Sequence, residues 1–181
     1  AKGYHGFDGV SLTNADDWAR MLHDMDLTQT RIVMVNYDTI PIFAHFIAYA
    51  DSQGYPRNKL RGNTMNWEFT SWHTPNMIWE PEDGLKMAVD LIYFCSQEMP
   101  NWDHTNIECH GFSEFGADAV HQMAFGIATA MAVADGCMEA GIDPDIFIPG
   151  IGFQIAQCND FFEYIAMFRA WRRLWARIGK E

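Results

Sequence analysis

Cations are scarce in this sequence: 12 Lys and Arg stand against 24 Asp and Glu, for a formal charge of −12. So acidic a chain has little with which to neutralise phosphates, which argues against a nucleic-acid partner. The few basic residues cluster near the C-terminus, where an amphipathic pattern accounts for them as a solvated face. Cysteine is sparse too. Cys95, Cys109, Cys137 and Cys158 show no CxxC spacing, and without a secretory signal they read as reduced thiols in a cytoplasmic protein. No run of about 18 apolar residues occurs, so no membrane partner is expected. Low-complexity tracts and short repeats are missing. The initiator Met is missing as well: the chain opens on AKGYHGFDG, which leaves a fragment, a processed subunit or the ordered part of something longer all open.

What is present is apolar. Hydrophobic residues make up 49% of the 181, with seven Trp and thirteen Phe, enough for one globular domain over residues 1–181. The run RIVMVN, Arg31 to Asn36, is the best strand signal. Weaker strands are predicted over Leu60 to Asn66 and Thr105 to His110, with a short alternating piece at Val10 to Leu12. Helices are predicted from Ala15 to about Met25, capped by Asn14, and from Pro41 to about Gln53. Others span Glu82 to Met99, Glu114 to Met138 and Asn159 to Ile178, with Glu114 read as a cap of its own helix. In the last of these Phe161, Tyr164, Ile165, Phe168, Trp171, Trp175 and Ile178 share a stripe. Arg172 falls inside it and would need a partner if buried.

Strand alternating with helix is the pattern of parallel βα units. Three units are clear, and the Val10 piece suggests a fourth at the N-terminus. A closed (β/α)₈ barrel takes about 250 residues, so the expected fold is α/β: a partial TIM barrel of three to four βα units. Its open strand edges must be covered by further chain or a partner. An open doubly wound sheet is the alternative, but no Gly-rich phosphate loop follows any strand.

In parallel barrels chemistry sits at the C-terminal strand ends. Alternation puts Ile32, Met34 and Asn36 on one face, Asn63 and Met65 on one, and Asn106, Glu108 and His110 on one. If Ile107 packs outward, Glu108 and His110 point inward. His110 is then a candidate general acid or a hydrogen-bond donor to a carbonyl, against the plain alternative of a histidine satisfied by backbone. Glu108 would need a partner, with Arg31 and Arg61 as candidates. A metal site from His73, His104, Cys109 and His110 is conceivable, but H-x4-C-H matches no standard zinc spacing, and none is expected.

The closing stretch F-F-x-x-I-A-x-x-R-A-x-R-R-L-W-A resembles the helix after a barrel strand in the methylmalonyl-CoA mutase family, the large acyl-CoA mutases. Further matches follow in family order. Ile40-Pro41 with Phe46-Ile47, Lys59-Leu60-x-Gly62, and Glu114-x-Gly116-Ala117 resemble the family's I-P-x-x-A-x-F-I, K-L-x-G and E-A-G-A pieces. The resemblance runs from about Gly9 to Ile178. It implies a TIM-barrel acyl-CoA-binding domain whose axis admits the pantetheine arm of coenzyme A. It also implies adenosylcobalamin at the C-terminal rim, held mainly by a cobalamin-binding domain or subunit that is not in this chain. The implied activity is an isomerase's radical 1,2-rearrangement of an acyl-CoA carbon skeleton, in an oligomer.

The departures from the family's pattern are specific. Where the family typically has Gly-Tyr-His, this chain has Cys109, His110 and Gly111. A substrate-contacting glutamine becomes Met65, and the arginine that holds a substrate carboxylate falls at Pro75. Small hydroxyl residues of the channel appear as Ile32 and Met34, which would narrow it. Two readings follow: a mutase for an acyl-CoA other than methylmalonyl-CoA, or a catalytically silent subunit kept for assembly. The polar groups His110, Glu108 and Asn63 favour the first. Its expected catalytic residue is His110, with Asn36, Asn63, Met65, His73, Glu108 and Glu114 contacting substrate.

Overall fold

β-Branched residues set the first strand, β1 (Arg31–Met34), in a computed structural model that describes residues 9–35, 39–66, 69 and 79–180. It is preceded by helix α1 (Ala15–Met21), whose N-cap Asn14 accepts from the backbone N–H groups of Asp16 and Asp17. Then come α2 (Thr39–Ser52), β2 (Arg61–Thr64), α3 (Pro81–Glu98), β3 (Trp102–Asp103) and β4 (Thr105–Glu108). A short helix α4 (His110–Glu114), the long α5 (Ala119–Glu139), a turn α6 (Pro144–Phe147), β5 (Ile151–Gln154) and α7 (Phe161–Ile178) complete the chain. Among the described residues no helix is long and apolar enough to cross a membrane.

Among the described residues all strand pairings are parallel. β1 pairs with β2 and β2 with β3, while β4 pairs with β5. β3 and β4 are one extended segment that changes partner at His104. Asp103 is opposite Asn63 of β2, and Thr105 is opposite Ile151 of β5. His104 and Thr105 are both buried, so side-chain alternation slips by one there, as at a bulge. Thr64 Oγ1 donates to the His104 carbonyl at 2.9 Å, and Asn66 Nδ2 donates to Thr105 Oγ1 at 3.0 Å. These bonds carry β2 across to β4, giving four parallel strand positions in a row. The described strands form a mixed α/β arrangement of four parallel positions, consistent with the expected partial barrel. The fourth is β5, not the N-terminal Val10 piece, which takes no regular structure.

The helices cover one face. Trp18, Phe43, Phe46 and Trp102 lead the core under α1, α2 and α3, and Ile107, Val133, Phe147 and Trp171 the core under α5, α6 and α7. Ile32 and Met34 belong to the first of these cores. Their expected place in a channel is therefore wrong: β1 turns them to the helices, and Val33 and Val35, both nearly 60% exposed, occupy the other face. Two glycines set the packing distances. A Cβ on Gly62 would lie 2.2 Å from the Ile32 carbonyl oxygen, and one on Gly126 would lie 2.5 Å from Cys109 Sγ.

Several helix limits differ from expectation for local reasons. α1 stops at Met21, and Asp24 adopts a positive φ of 63° in the turn that follows. Glu114 caps nothing: Gly116, at φ 96°, breaks the chain, and Asp118 caps α5 by accepting from His121 N–H at 2.8 Å. α7 is capped by Asp160 instead of Asn159. Its buried line runs through Tyr164, Met167 and Trp171, so Phe161 and Ile165 lie at the stripe's exposed edge. Arg172 is exposed and needs no buried partner.

Candidate active site on the open strand face

Opposite the helices the strands present Arg31 and Val33 of β1, Arg61 and Asn63 of β2, and Asp103 of β3. Asn106 and Glu108 of β4 and Gly152 and Gln154 of β5 continue the row. Ile107, fully buried among the helices, fixes this assignment for β4. At the N-terminal end Arg31 forms an ion pair with Asp103 across β2. Arg61, between them and exposed, makes no ion pair among the described residues. Neither arginine reaches Glu108, contrary to expectation.

Further along, the Oδ1 atoms of Asn63 and Asn106 and Oε1 of Gln154 are buried and accept no hydrogen bond among the described residues. A buried polar atom left in that state costs roughly 1–3 kcal/mol. Three such atoms lie on neighbouring strands of one face.

At the C-terminal end Glu108 is 2% exposed. Its Oε1 accepts from Gly111 N–H at 2.6 Å and touches His110 Nδ1. The two residues that alternation placed together do meet, because α4 begins directly after Cys109 and folds the imidazole back over the strand end. The His110 side chain is 32% exposed. Cys109 faces the helix core, and burial first, then the Glu108 charge, hold its thiol far above the ordinary range. It is no nucleophile.

The other expected contacts fall as follows. Met65, two residues beyond Asn63, is buried, and Glu114 is exposed at the end of α4, one turn past His110. Asn36, His73 and Pro75 lie outside the described residues. Gln154 is not among the expected contacts because no strand is predicted between Thr105 to His110 and the last helix. Sequence reasoning also missed Gln122, fully buried on α5, whose Oε1 accepts from Ala156 N–H at 2.8 Å and anchors the segment after β5. The alternation Ile151, Phe153, Ile155 was the available signal for that strand.

Parallel strands with helices on one face and a row of polar side chains on the other define an α/β segment. The chain matches the methylmalonyl-CoA mutase family over residues 1–181, and it belongs to that family. It is 30% identical to a probable mitochondrial methylmalonyl-CoA mutase of Caenorhabditis elegans over 97% of its own length and 24% of the relative's. Against the mitochondrial methylmalonyl-CoA mutase of Mus musculus identity is 30% over 98% of this chain and 24% of the relative. The methylmalonyl-CoA mutase large subunit of Streptomyces virginiae is 29% identical over 97% of this chain and 24% of its own. The chain thus spans about a quarter of the length of these relatives, which as mutases are isomerases.

Proposed function

We propose that this chain forms part of the acyl-CoA-binding barrel of an adenosylcobalamin-dependent mutase. The reaction is a carbon-skeleton 1,2-rearrangement of an acyl-CoA thioester other than methylmalonyl-CoA. The observation that carries the reading is the row of unsatisfied side-chain carbonyls of Asn63, Asn106 and Gln154. A pantetheine arm carries amide N–H donors in sequence, and laid along the strands it would satisfy such a row. Arg61 stands at the end away from His110, where the anionic part of coenzyme A would meet it. His110 then faces the acyl end as hydrogen-bond donor or general acid to the thioester carbonyl. Asn36, His73, Met65 and Glu114 are retained as acyl-end contacts. Pro75, where the family places its carboxylate-holding arginine, speaks for an uncharged acyl group.

The family resemblance leaves cobalt ligation to another domain or subunit; among the described residues no group of three His, Cys, Asp or Glu could hold a metal ion. What this chain offers the cofactor is apolar surface: Phe112 packs on Phe125 at 5.3 Å between ring centroids, and Phe115 is exposed beside Glu114. That surface fits contact with a macrocycle's edge. When bound, adenosylcobalamin supplies the radical, and the barrel residues position the acyl group and exclude side reactions. The remaining barrel, the cobalamin-binding part and an oligomeric assembly are the implied partners. All four thiols are free, which suits the reducing cytoplasm.

Two results test this. The assembled enzyme should convert a ¹³C-labelled branched acyl-CoA with an uncharged acyl group into its skeletal isomer, seen by NMR, in preference to methylmalonyl-CoA. Rearrangement of no thioester by an intact assembly would leave a silent subunit instead. Arg61→Ala should raise KM for the thioester roughly tenfold with kcat kept, the loss of about 1.4 kcal/mol of charge-assisted binding. An unchanged KM would remove Arg61 from the site.

A further inference from the structure

We infer that Glu108 is a positioning residue that fixes the tautomer of His110, not a substrate ligand. The carboxylate sits almost wholly out of water on β4. Its Oε1 is pinned by the Gly111 backbone N–H at 2.6 Å, so it cannot swing toward a ligand without orphaning that donor. The same oxygen touches His110 Nδ1, a buried atom that finds no other hydrogen-bond partner among the described residues, although the side chain is one-third exposed. The exposed part of the side chain therefore lies away from Nδ1. An ionised carboxylate only accepts, so the nitrogen against it must carry a proton. His110 is thus Nδ1–H in its neutral form and keeps that proton when charged. Nε2 is then the nitrogen left for a bound group. Nε2 then accepts while the ring is neutral, and it donates to a bound carbonyl only in the charged, imidazolium form. A histidine left to itself favours the opposite, Nε2–H, form.

What Nε2 meets depends on the mutase reading; the tautomer does not, and it is measured without substrate. Two-bond ¹H–¹⁵N spectra of the full chain, labelled at histidine and assigned with His110→Gln, should show neutral His110 as the Nδ1–H form. In Glu108→Ala the pattern should switch to Nε2–H. Nε2–H in the native protein would overturn the inference, showing either a protonated Glu108 donating to Nδ1 or a carboxylate that serves only the Gly111 N–H. The same holds if Glu108→Ala folds and leaves the tautomer unmoved. Should that variant fail to fold, the native spectrum alone decides. Loss of mutase activity in every assay, with the Nδ1–H form observed, would sink the functional reading and leave this one standing.

Discussion

Gly62→Ala is expected to cost about 3 kcal/mol or more of folding stability and to lower the melting temperature by roughly 6–12 °C. The added Cβ would sit 2.2 Å from the Ile32 carbonyl oxygen and 2.4 Å from the Trp102 ring. Neither can retreat. Ile32 is opposite Gly62 in the β1–β2 ladder, so its carbonyl is held by strand pairing. Trp102 is 3% exposed and packs on Phe43 and Phe46 with ring centroids 5.2 and 5.5 Å away. The strain must therefore go into separating two strands or displacing the core of the N-terminal half. Gly152→Ala is the control. Its Cβ would meet Asn106 Oδ1 at 3.6 Å, an ordinary contact on the open face. Thermal unfolding of the two variants should separate them clearly; equal melting temperatures would mean that the ring of Trp102 does not lie over Gly62.

Acidification between pH 6.5 and 4 is expected to remove about 3 kcal/mol of stability through His104 alone. Burial at the strand break pushes its pKa down from 6.5 to about 4, against smaller upward effects of the Phe147 backbone and Asp103. The ring is 4% exposed, with Nδ1 against Thr105 Oγ1 at 3.1 Å and Nε2 against Gly150. Above pH 6.5 the histidine is neutral in folded and unfolded chain alike, and its contribution is intact. Below that the unfolded chain takes up a proton that the folded one refuses until about pH 4, so stability falls with pH across that window. At ~1.4 kcal/mol per tenfold change in proton affinity this gives the stated loss. Carboxylates titrate at the lower end too, so the test is a comparison. Denaturant unfolding of His104→Gln should lose this part of the slope, and the same slope in both proteins would place the acid sensitivity elsewhere.

The places where sequence reasoning held and failed share a physical cause. β1 was legible because RIVMVN is β-branched and bounded by turn residues. β5 was not, because IGFQ is short, contains a glycine and follows Pro149-Gly150, which reads as a turn. The partner change at His104 leaves no mark in W-D-H-T-N, since a slip in alternation is decided by which strand the backbone bonds to. Ile32 and Met34 were assigned to the wrong face for the same reason: alternation separates two faces without saying which one the helices take. Ile107, buried among the helices, settles that question for β4 and puts Glu108 on the open face, where it meets His110 and not the expected Arg31 or Arg61. What periodicity could not supply is the turn after Cys109 that brings imidazole onto carboxylate.

The claim beneath all of this is that the open strand face, and not the helix surface, receives the thioester. Single cysteines at Val33 on that face and at Phe162 on the exposed side of α7 probe it directly. In the assembled protein, an acyl-CoA should slow alkylation of Val33→Cys and leave Phe162→Cys unaffected, each followed by peptide mass spectrometry. Equal labelling of Val33→Cys with and without thioester would contradict it.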